Sequence, residues 1–122
     1  MREGTERLRR VVVVEDDGDI ASLLTDILET EGYVAIAVSD AHELDRQLDT
    51  RPDLIVLDLR LTRGGAEQIL TAVRARGMGN VPVLILSAAT DLPERARALG
   101  VSSFLAKPFE LDEFLAAVRG LF

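Results

Sequence analysis

The stretch VVVVEDDGDI (Val11–Ile20) runs four valines directly into three acidic residues. Four consecutive β-branched residues predict a strand buried on both faces, because a strand with one solvated face alternates apolar and polar side chains. Glu15, Asp16 and Asp17 follow at once, where like charges repel one another. The sequence thus places a group of carboxylates at the end of a core strand.

The rest of the chain alternates between apolar strands and amphipathic helices. The predicted strands are 11–15, 33–39, 54–59, 81–87 and 101–106. Apolar residues recur at helical spacing after each strand, and Gly32 and Gly100 suit helix ends. The connections are too long for hairpins, which favours parallel strands joined by right-handed crossovers. We therefore predict an α/β fold, a doubly wound five-stranded parallel sheet with helices on both faces.

Composition excludes several classes of protein. A chain of 122 residues predicts one domain, and the absence of cysteine excludes disulfides and thiolate metal sites. The single histidine, His42, excludes a histidine-rich metal cluster. A net charge of -7 disfavours a nucleic-acid-binding module. The longest apolar run is too short for a membrane span, so we expect a cytoplasmic protein without membrane contact.

Four of the five predicted strands end in a polar or charged group. The first ends in Glu15–Asp17, the third in Asp58, the fourth in Ser87 and the fifth in Lys107. Ligands of such sheets bind beyond the carboxyl ends of the strands. Clustered carboxylates favour a hard cation such as Mg²⁺, and Lys107 and Ser87 add a positive charge and a hydroxyl donor. This edge suits phosphoryl transfer, with Asp58 as the candidate nucleophile.

The chain resembles the receiver domain of two-component response regulators from residue 10 to residue 122. VVVVEDD, LIVLDL, VLILSA and FLAKPF follow one another in the family's order and at nearly its spacing, and KPF is the most specific. The resemblance implies a flavodoxin-like sheet with strand order 2-1-3-4-5, a leader at residues 1–9 and a receiver domain at residues 10–122.

The resemblance also implies a role for each matching residue. Asp58 is the phosphoacceptor, and Mg²⁺ is the cofactor. The implied metal ligands are Glu15, Asp16 (the more direct of the acidic pair), Asp58 and the backbone carbonyl of Arg60. The remaining implied roles are those of Ser87 as switch hydroxyl, Phe104 as switch aromatic and Lys107 as phosphate contact, with a cis peptide between Lys107 and Pro108. Because Phe104 lacks the tyrosine hydroxyl, we expect its ring to favour the inward position even without phosphate.

The implied function is a Mg²⁺-dependent switch that takes its phosphoryl group from a sensor histidine kinase or phosphotransfer protein and changes a surface read by a downstream protein. Such a domain is not an enzyme beyond its own phosphorylation and dephosphorylation. The resemblance allows a homodimer through the fourth helix, fifth strand and fifth helix. We expect no direct contact with nucleic acid, and no effector domain after Phe122.

Three other functions are weighed against this one. A receiver-like interaction module that does not use phosphorylation is disfavoured, because a site that no longer accepts a phosphoryl group need not keep Asp58, Ser87 and Lys107. A dehalogenase-type phosphatase is disfavoured because Arg60 stands where its general acid belongs. An acidic loop after the first strand disfavours a flavin phosphate site. Two departures from the family stand out: Thr62 occupies a usual proline position, and the stretch from Ser87 to Lys107 is about two residues short, which puts the output surface in question.

Overall fold

The computed structural model describes residues 8–59, 65–88, 90 and 92–122, and within them strands and helices alternate. The strands are β1 (Arg10–Val14), β2 (Val34–Val38), β3 (Leu54–Asp58), β4 (Val83–Ser87) and β5 (Ser103–Ala106). The helices are α1 (Gly18–Thr30), α2 (Ala41–Gln47), α3 (Gly65–Ala75), α4 (Leu92–Leu99) and α5 (Leu111–Arg119), and a short 3-10 helix (Leu48–Thr50) follows α2.

The five strands form one parallel sheet in the order β2-β1-β3-β4-β5. The predicted α/β fold and strand order are therefore confirmed. Two strands begin two residues later than predicted. The N–H of Val81 donates to the carbonyl of Met78, and that of Val101 donates to the carbonyl of Ala96. Both residues are therefore held in turns, so β4 begins at Val83 and β5 at Ser103.

Each face of the sheet packs against its own set of helices. On one face, Val12, Val14 and Leu57 belong to a core with buried residues of α2, α3 and α4. On the other, Val11 and Val13 belong to a core with residues of α1 and α5. Alternate residues of a strand point to opposite faces, so a strand between two helix layers is apolar at every position. The uninterrupted valines of β1 follow from this arrangement.

An aspartate fixes the start of α1 immediately after the acidic end of β1. The Asp17 carboxylate accepts hydrogen bonds from the N–H groups of Asp19 and Ile20, at 2.9 and 3.1 Å. It thus satisfies two donors that the first helical turn cannot pair internally. Asp17 is therefore the N-cap of α1. No helix of the described ranges has the length and apolar character that a membrane span requires.

Candidate functional site

Sheet topology gathers the predicted site residues at the carboxyl edge of the central strands. Val14 of β1 pairs with Leu57 of β3, so Glu15 and Asp58 follow at the same level of neighbouring strands. On the other side of β3, Ser87 ends β4 and pairs with Ala106, the last residue of β5. The N–H of Lys107 then donates to the carbonyl of Ser87 at 2.8 Å. Four distant parts of the sequence therefore meet at one edge.

Asp58 is a buried carboxylate with a cation beside it. Its side chain is 1% exposed, and Nζ of Lys107 donates to its Oδ2 at 2.7 Å. The Lys107 side chain is 20% exposed, so the pair lies at the boundary between core and solvent. Burying a lone carboxylate is costly, and a charge-assisted hydrogen bond at this distance offsets part of that cost. The structure thus joins the predicted nucleophile to the predicted phosphate-binding lysine.

The three acids after β1 have three different environments. Glu15 is buried, and its Oε2 accepts from the N–H of Asp17 at 3.1 Å. Asp16 is exposed at the same edge. Asp17 faces the first turn of α1 as its cap. The sequence run EDD therefore divides into one inward carboxylate, one solvent-facing carboxylate and one helix cap.

The oxygen donors at this edge fit Mg²⁺. Among the residues that the structure describes, no three Asp, Glu, His or Cys side chains come together as a metal-binding group. Mg²⁺ does not need such a group, because it commonly takes one or two carboxylates and keeps several waters. Glu15 and Asp58 are buried carboxylates at the ends of the adjacent strands β1 and β3, and Asp16 is the next residue after Glu15. Arg60, whose carbonyl is the fourth predicted ligand, lies outside the described residues.

The two predicted switch residues lie in contrasting environments. Ser87 is 4% exposed at the end of β4, whereas the Phe104 side chain on β5 is 41% exposed. Our expectation of an inward ring is therefore wrong for this structure. Phe104 pairs with Ile85, which belongs to the same buried cluster as Leu92 and Ala96 of α4. The buried core on this face includes Ile85 of β4, and the exposed aromatic ring lies outside it on the edge strand.

The peptide bond between Lys107 and Pro108 is cis, as the resemblance implies. Thr62, at the usual proline position, lies outside the described residues. In the shortened stretch between Ser87 and Lys107, α4 has eight residues, Leu92–Leu99.

Two arginines that the sequence patterns did not single out join neighbouring helices. Nη2 of Arg74 donates to the carbonyl of Leu99 in α4 at 3.0 Å. Arg76, which follows the end of α3, pairs with Asp45 and Asp49. These hydrogen bonds raise the pKa of the Arg76 guanidinium, and the one to Asp49 contributes most. Both contacts join residues more than 20 positions apart, so no local sequence signal identifies them.

Comparisons with family models, with characterised proteins and with solved structures all indicate the same family. The model of the family described as "Response regulator receiver domain" matches residues 11–119. The transcriptional regulatory protein PrrA of Mycobacterium leprae is 38% identical over 115 residues, which are 92% of this chain and 49% of that protein. The response regulator MprA of Mycobacterium sp. (strain KMS) is 35% identical over 92% of this chain and 50% of its own. This chain thus spans about half the length of these relatives.

Solved structures support the same assignment. The receiver domain of a Francisella response regulator is 30% identical, with a TM-score of 0.78 over 93% of this chain and 95% of its own. The chemotaxis protein CheY4 of Vibrio cholerae, at 21% identity, shares the fold, with a TM-score of 0.83 over 95% of this chain and all of its own. Members of this family act in two-component signalling as switches and not as metabolic enzymes. The chain belongs to the family of response regulator receiver domains.

Proposed function

We propose that this domain is a phosphorylation-activated switch that accepts a phosphoryl group on Asp58. The observation that carries the proposal is the buried carboxylate of Asp58 at the end of the central strand, 2.7 Å from Nζ of Lys107. A buried charged pair is often no more stabilising than apolar residues of the same volume. A charged pair at the edge where α/β sheets bind ligands therefore supports a chemical role more than a structural one.

Asp58 acts as the nucleophile in this proposal. One of its carboxylate oxygens attacks the phosphorus of a phosphohistidine on a sensor histidine kinase or a phosphotransfer protein. The new O–P bond forms as the P–N bond breaks, and the imidazole leaves and takes up a proton. The product is an acyl phosphate on Asp58. Attack by water on that phosphorus later releases inorganic phosphate and restores the carboxylate.

Lys107 and Ser87 stabilise the transferred group. The ammonium of Lys107 pairs with Asp58 at rest and turns to the phosphoryl oxygens when these arrive, where its charge offsets theirs. Ser87, at the end of the neighbouring strand, donates a hydrogen bond from its hydroxyl to a phosphoryl oxygen. Ser87 ends β4 and Lys107 follows β5, and these strands pair with each other, so the backbone positions of both residues are fixed before the phosphoryl group arrives.

Glu15, Asp16 and Asp58, with the backbone carbonyl of Arg60, are the residues that we propose hold Mg²⁺. When bound, the ion offsets negative charge on the carboxylates and the phosphoryl oxygens. Two buried carboxylates on adjacent strands support this assignment. Without a cation, their charges repel each other.

We propose that the signal leaves through the surface formed by α4, β5 and α5. Movement of Ser87 toward the phosphoryl group opens space on this side, and the exposed ring of Phe104 turns inward to fill it. The same surface carries Leu111, 52% exposed at the start of α5. Exposed apolar side chains support a contact surface for a downstream protein or for a second copy of this domain.

We propose that the protein is cytoplasmic, because its kinase donor is phosphorylated from ATP. We also propose that this domain makes no direct contact with nucleic acid. An excess of acids, 21 against 14 lysines and arginines, supports the latter. The name of the M. leprae relative gives that protein a role in transcription, and this chain matches about half of it. An effect of this domain on transcription would therefore pass through protein contacts.

Incubation with Mg²⁺ and a small acyl phosphate, followed by intact mass measurement, tests the proposal. The wild type should gain one labile phosphoryl group, a chelator should prevent the gain, and Asp58→Asn should abolish it. Asp26→Asn, on the exposed side of α1, is the matched control and should behave as the wild type. Wild-type labelling of Asp58→Asn would exclude Asp58 as acceptor. No labelling of the wild type would favour the interaction module instead.

A further inference from the structure

The carboxyl end of α4 is closed by a two-bond turn at Gly100. The N–H of Gly100 donates to the carbonyl of Arg97 at 3.0 Å, and the N–H of Val101 donates to the carbonyl of Ala96 at 2.9 Å. Gly100 has φ +77°, a left-handed conformation that favours glycine. The last four carbonyls of a helix have no partner within it, and this turn satisfies two of them.

Arg74 supplies a donor for a third carbonyl from a different helix. It lies in the last turn of α3, and its Nη2 donates to the carbonyl of Leu99 at 3.0 Å. A cation at this position also interacts favourably with the negative end of the α4 dipole. A Cβ at residue 100 would lie 3.2 Å from this Nη2, so glycine also leaves room for the guanidinium.

Two other helices, α1 and α3, end in the same turn. At the end of α1, the N–H groups of Gly32 and Tyr33 donate to Glu29 and Leu28, and at the end of α3 those of Gly77 and Met78 donate to Arg74 and Val73. Among the described residues, α4 is the only one of these three helices whose final carbonyls accept a hydrogen bond from a side chain of another helix. The three turns thus form an internal comparison, with the arginine as the difference.

Helix α4 has fewer fully buried side chains than α3, and its Leu99 is partly buried against the same core. Helix α4 buries two side chains, Leu92 and Ala96, and one of them is only a methyl group. Helix α3 buries four, at Ala66, Ile69, Leu70 and Val73. A helix with so little apolar contact depends more on polar contacts at its ends.

We propose that Arg74 is a positioning residue that latches the carboxyl end of α4 to α3 and so sets the shape of the α4–β5 surface. A shallow depression of about 350 Å³ on that surface is lined by Pro93, Arg97, Gly100, Val101, Ser102 and Phe104. Gly100 and Val101 belong both to the latched turn and to the depression. Loss of the hydrogen bond between Arg74 and Leu99 therefore loosens the part of the depression that Gly100 and Val101 line, beside the Phe104 ring. The latch acts without phosphorylation, so its failure and that of the proposed function are separate results.

Amide hydrogen exchange of the unphosphorylated protein tests the latch residue by residue. In Arg74→Met, the amides of Gly100 and Val101 should exchange roughly five- to tenfold faster, as expected for the loss of one hydrogen bond to a charged donor at a partly exposed site. The amides of Gly32 and Tyr33, in the same turn of α1, should keep their wild-type rates. Arg74→Lys keeps the positive charge and should restore part of the protection.

Arg95→Met is the matched control, because it removes an exposed arginine from α4 itself. It should leave the Gly100 and Val101 amides within about twofold of wild type. Equal exchange at these amides in Arg74→Met and Arg95→Met would overturn the proposal. Equal acceleration at Gly32 and Gly100 in Arg74→Met would overturn it too, since the arginine would then stabilise the whole fold and not α4.

Discussion

The central strand β3 and the edge strand β5 differ in burial and in strand pairing. All five residues of β3 are buried, and the strand pairs with β1 on one side and β4 on the other. Residues of β5 alternate between half-buried and exposed, and this strand pairs with β4 alone. Asp58 ends β3, whereas Phe104 lies in β5. An acceptor group needs fixed geometry, while a signal needs a segment that moves at low cost.

The contrast follows from composition. The sequence of β3 is LIVLD, apolar until its last residue, and that of β5 is SFLA, in which Ser103 and Ala106 offer little apolar surface. Each buried leucine or isoleucine contributes about 1.5–3 kcal/mol of transfer free energy, and β3 has three of them. We therefore expect the free energy of local opening to be larger for β3 than for β5.

The largest expected effect is on the unfolding free energy. Leu57→Ala removes a side chain that is 0% exposed and should cost about 2–5 kcal/mol through lost transfer energy and a cavity. Phe104→Ala removes a ring that is already 41% exposed and should cost about 1 kcal/mol or less. Urea denaturation of both variants gives the two values. Equal losses would mean that β5 is packed as firmly as β3.

The next effect concerns the metal. Mg²⁺ that binds only the folded state should stabilise the wild type by about 2.7 kcal/mol at a hundredfold excess over its Kd. Asp16→Ala should lose most of this increment, and its metal-free melting temperature should rise because one of the repelling carboxylates is gone. Thermal denaturation with and without Mg²⁺ measures both. An unchanged increment would remove Asp16 from the ligands.

A smaller effect is expected for the pair at the end of β3. Lys107→Met leaves the Asp58 carboxylate without its ammonium partner, and Asp58→Asn removes the charge that needs it. The coupling free energy from the single and double variants should be about 0.5–3 kcal/mol in favour of the pair. Denaturant unfolding in metal-free buffer provides the four values. Additive losses would show that the 2.7 Å contact contributes no stability.

The smallest effect tests the other edge of the sheet, at β2. Glu43 accepts hydrogen bonds from the N–H and Oγ of Ser39, at 2.7 and 2.9 Å, and the backbone hydrogen bond is the chief cause of its lowered pKa. A lowered pKa stabilises the folded state above the ordinary value of 4.5, and this stability is lost as pH falls through the folded-state value. Glu43→Gln should therefore unfold at slightly lower urea than wild type at pH 7.

The difference between Glu43→Gln and wild type should shrink in acid, where the wild-type carboxylate is protonated. Urea titrations at neutral pH and below the folded-state pKa measure the two differences. A constant difference across pH would mean that the side-chain shape matters and its charge does not.

Sequence reasoning predicted the core and the site edge better than the periphery. Uninterrupted apolar runs identified β1 and β3 because strands between two helix layers are buried on both faces. The rule that sites lie at strand ends then brought Glu15 and Asp58 together. The starts of β4 and β5 were placed two residues early, because Val81 and Val101 are apolar residues in turns. The outward Phe104 ring and the Arg74 contact depend on packing between distant segments, which local patterns do not report.

The strand order β2-β1-β3-β4-β5 also affects how the chain folds. Every strand pairing joins segments separated by a crossover, so the sheet gains no local hairpin contacts and closes its loops at an entropic cost. The first three strands are contiguous in sequence and adjacent in the sheet, so they can form a unit on their own. Strands β4 and β5 extend the sheet one after the other on the β3 side, and we expect them to add after this unit. The segment proposed to carry the signal would thus be the last to join the sheet during folding.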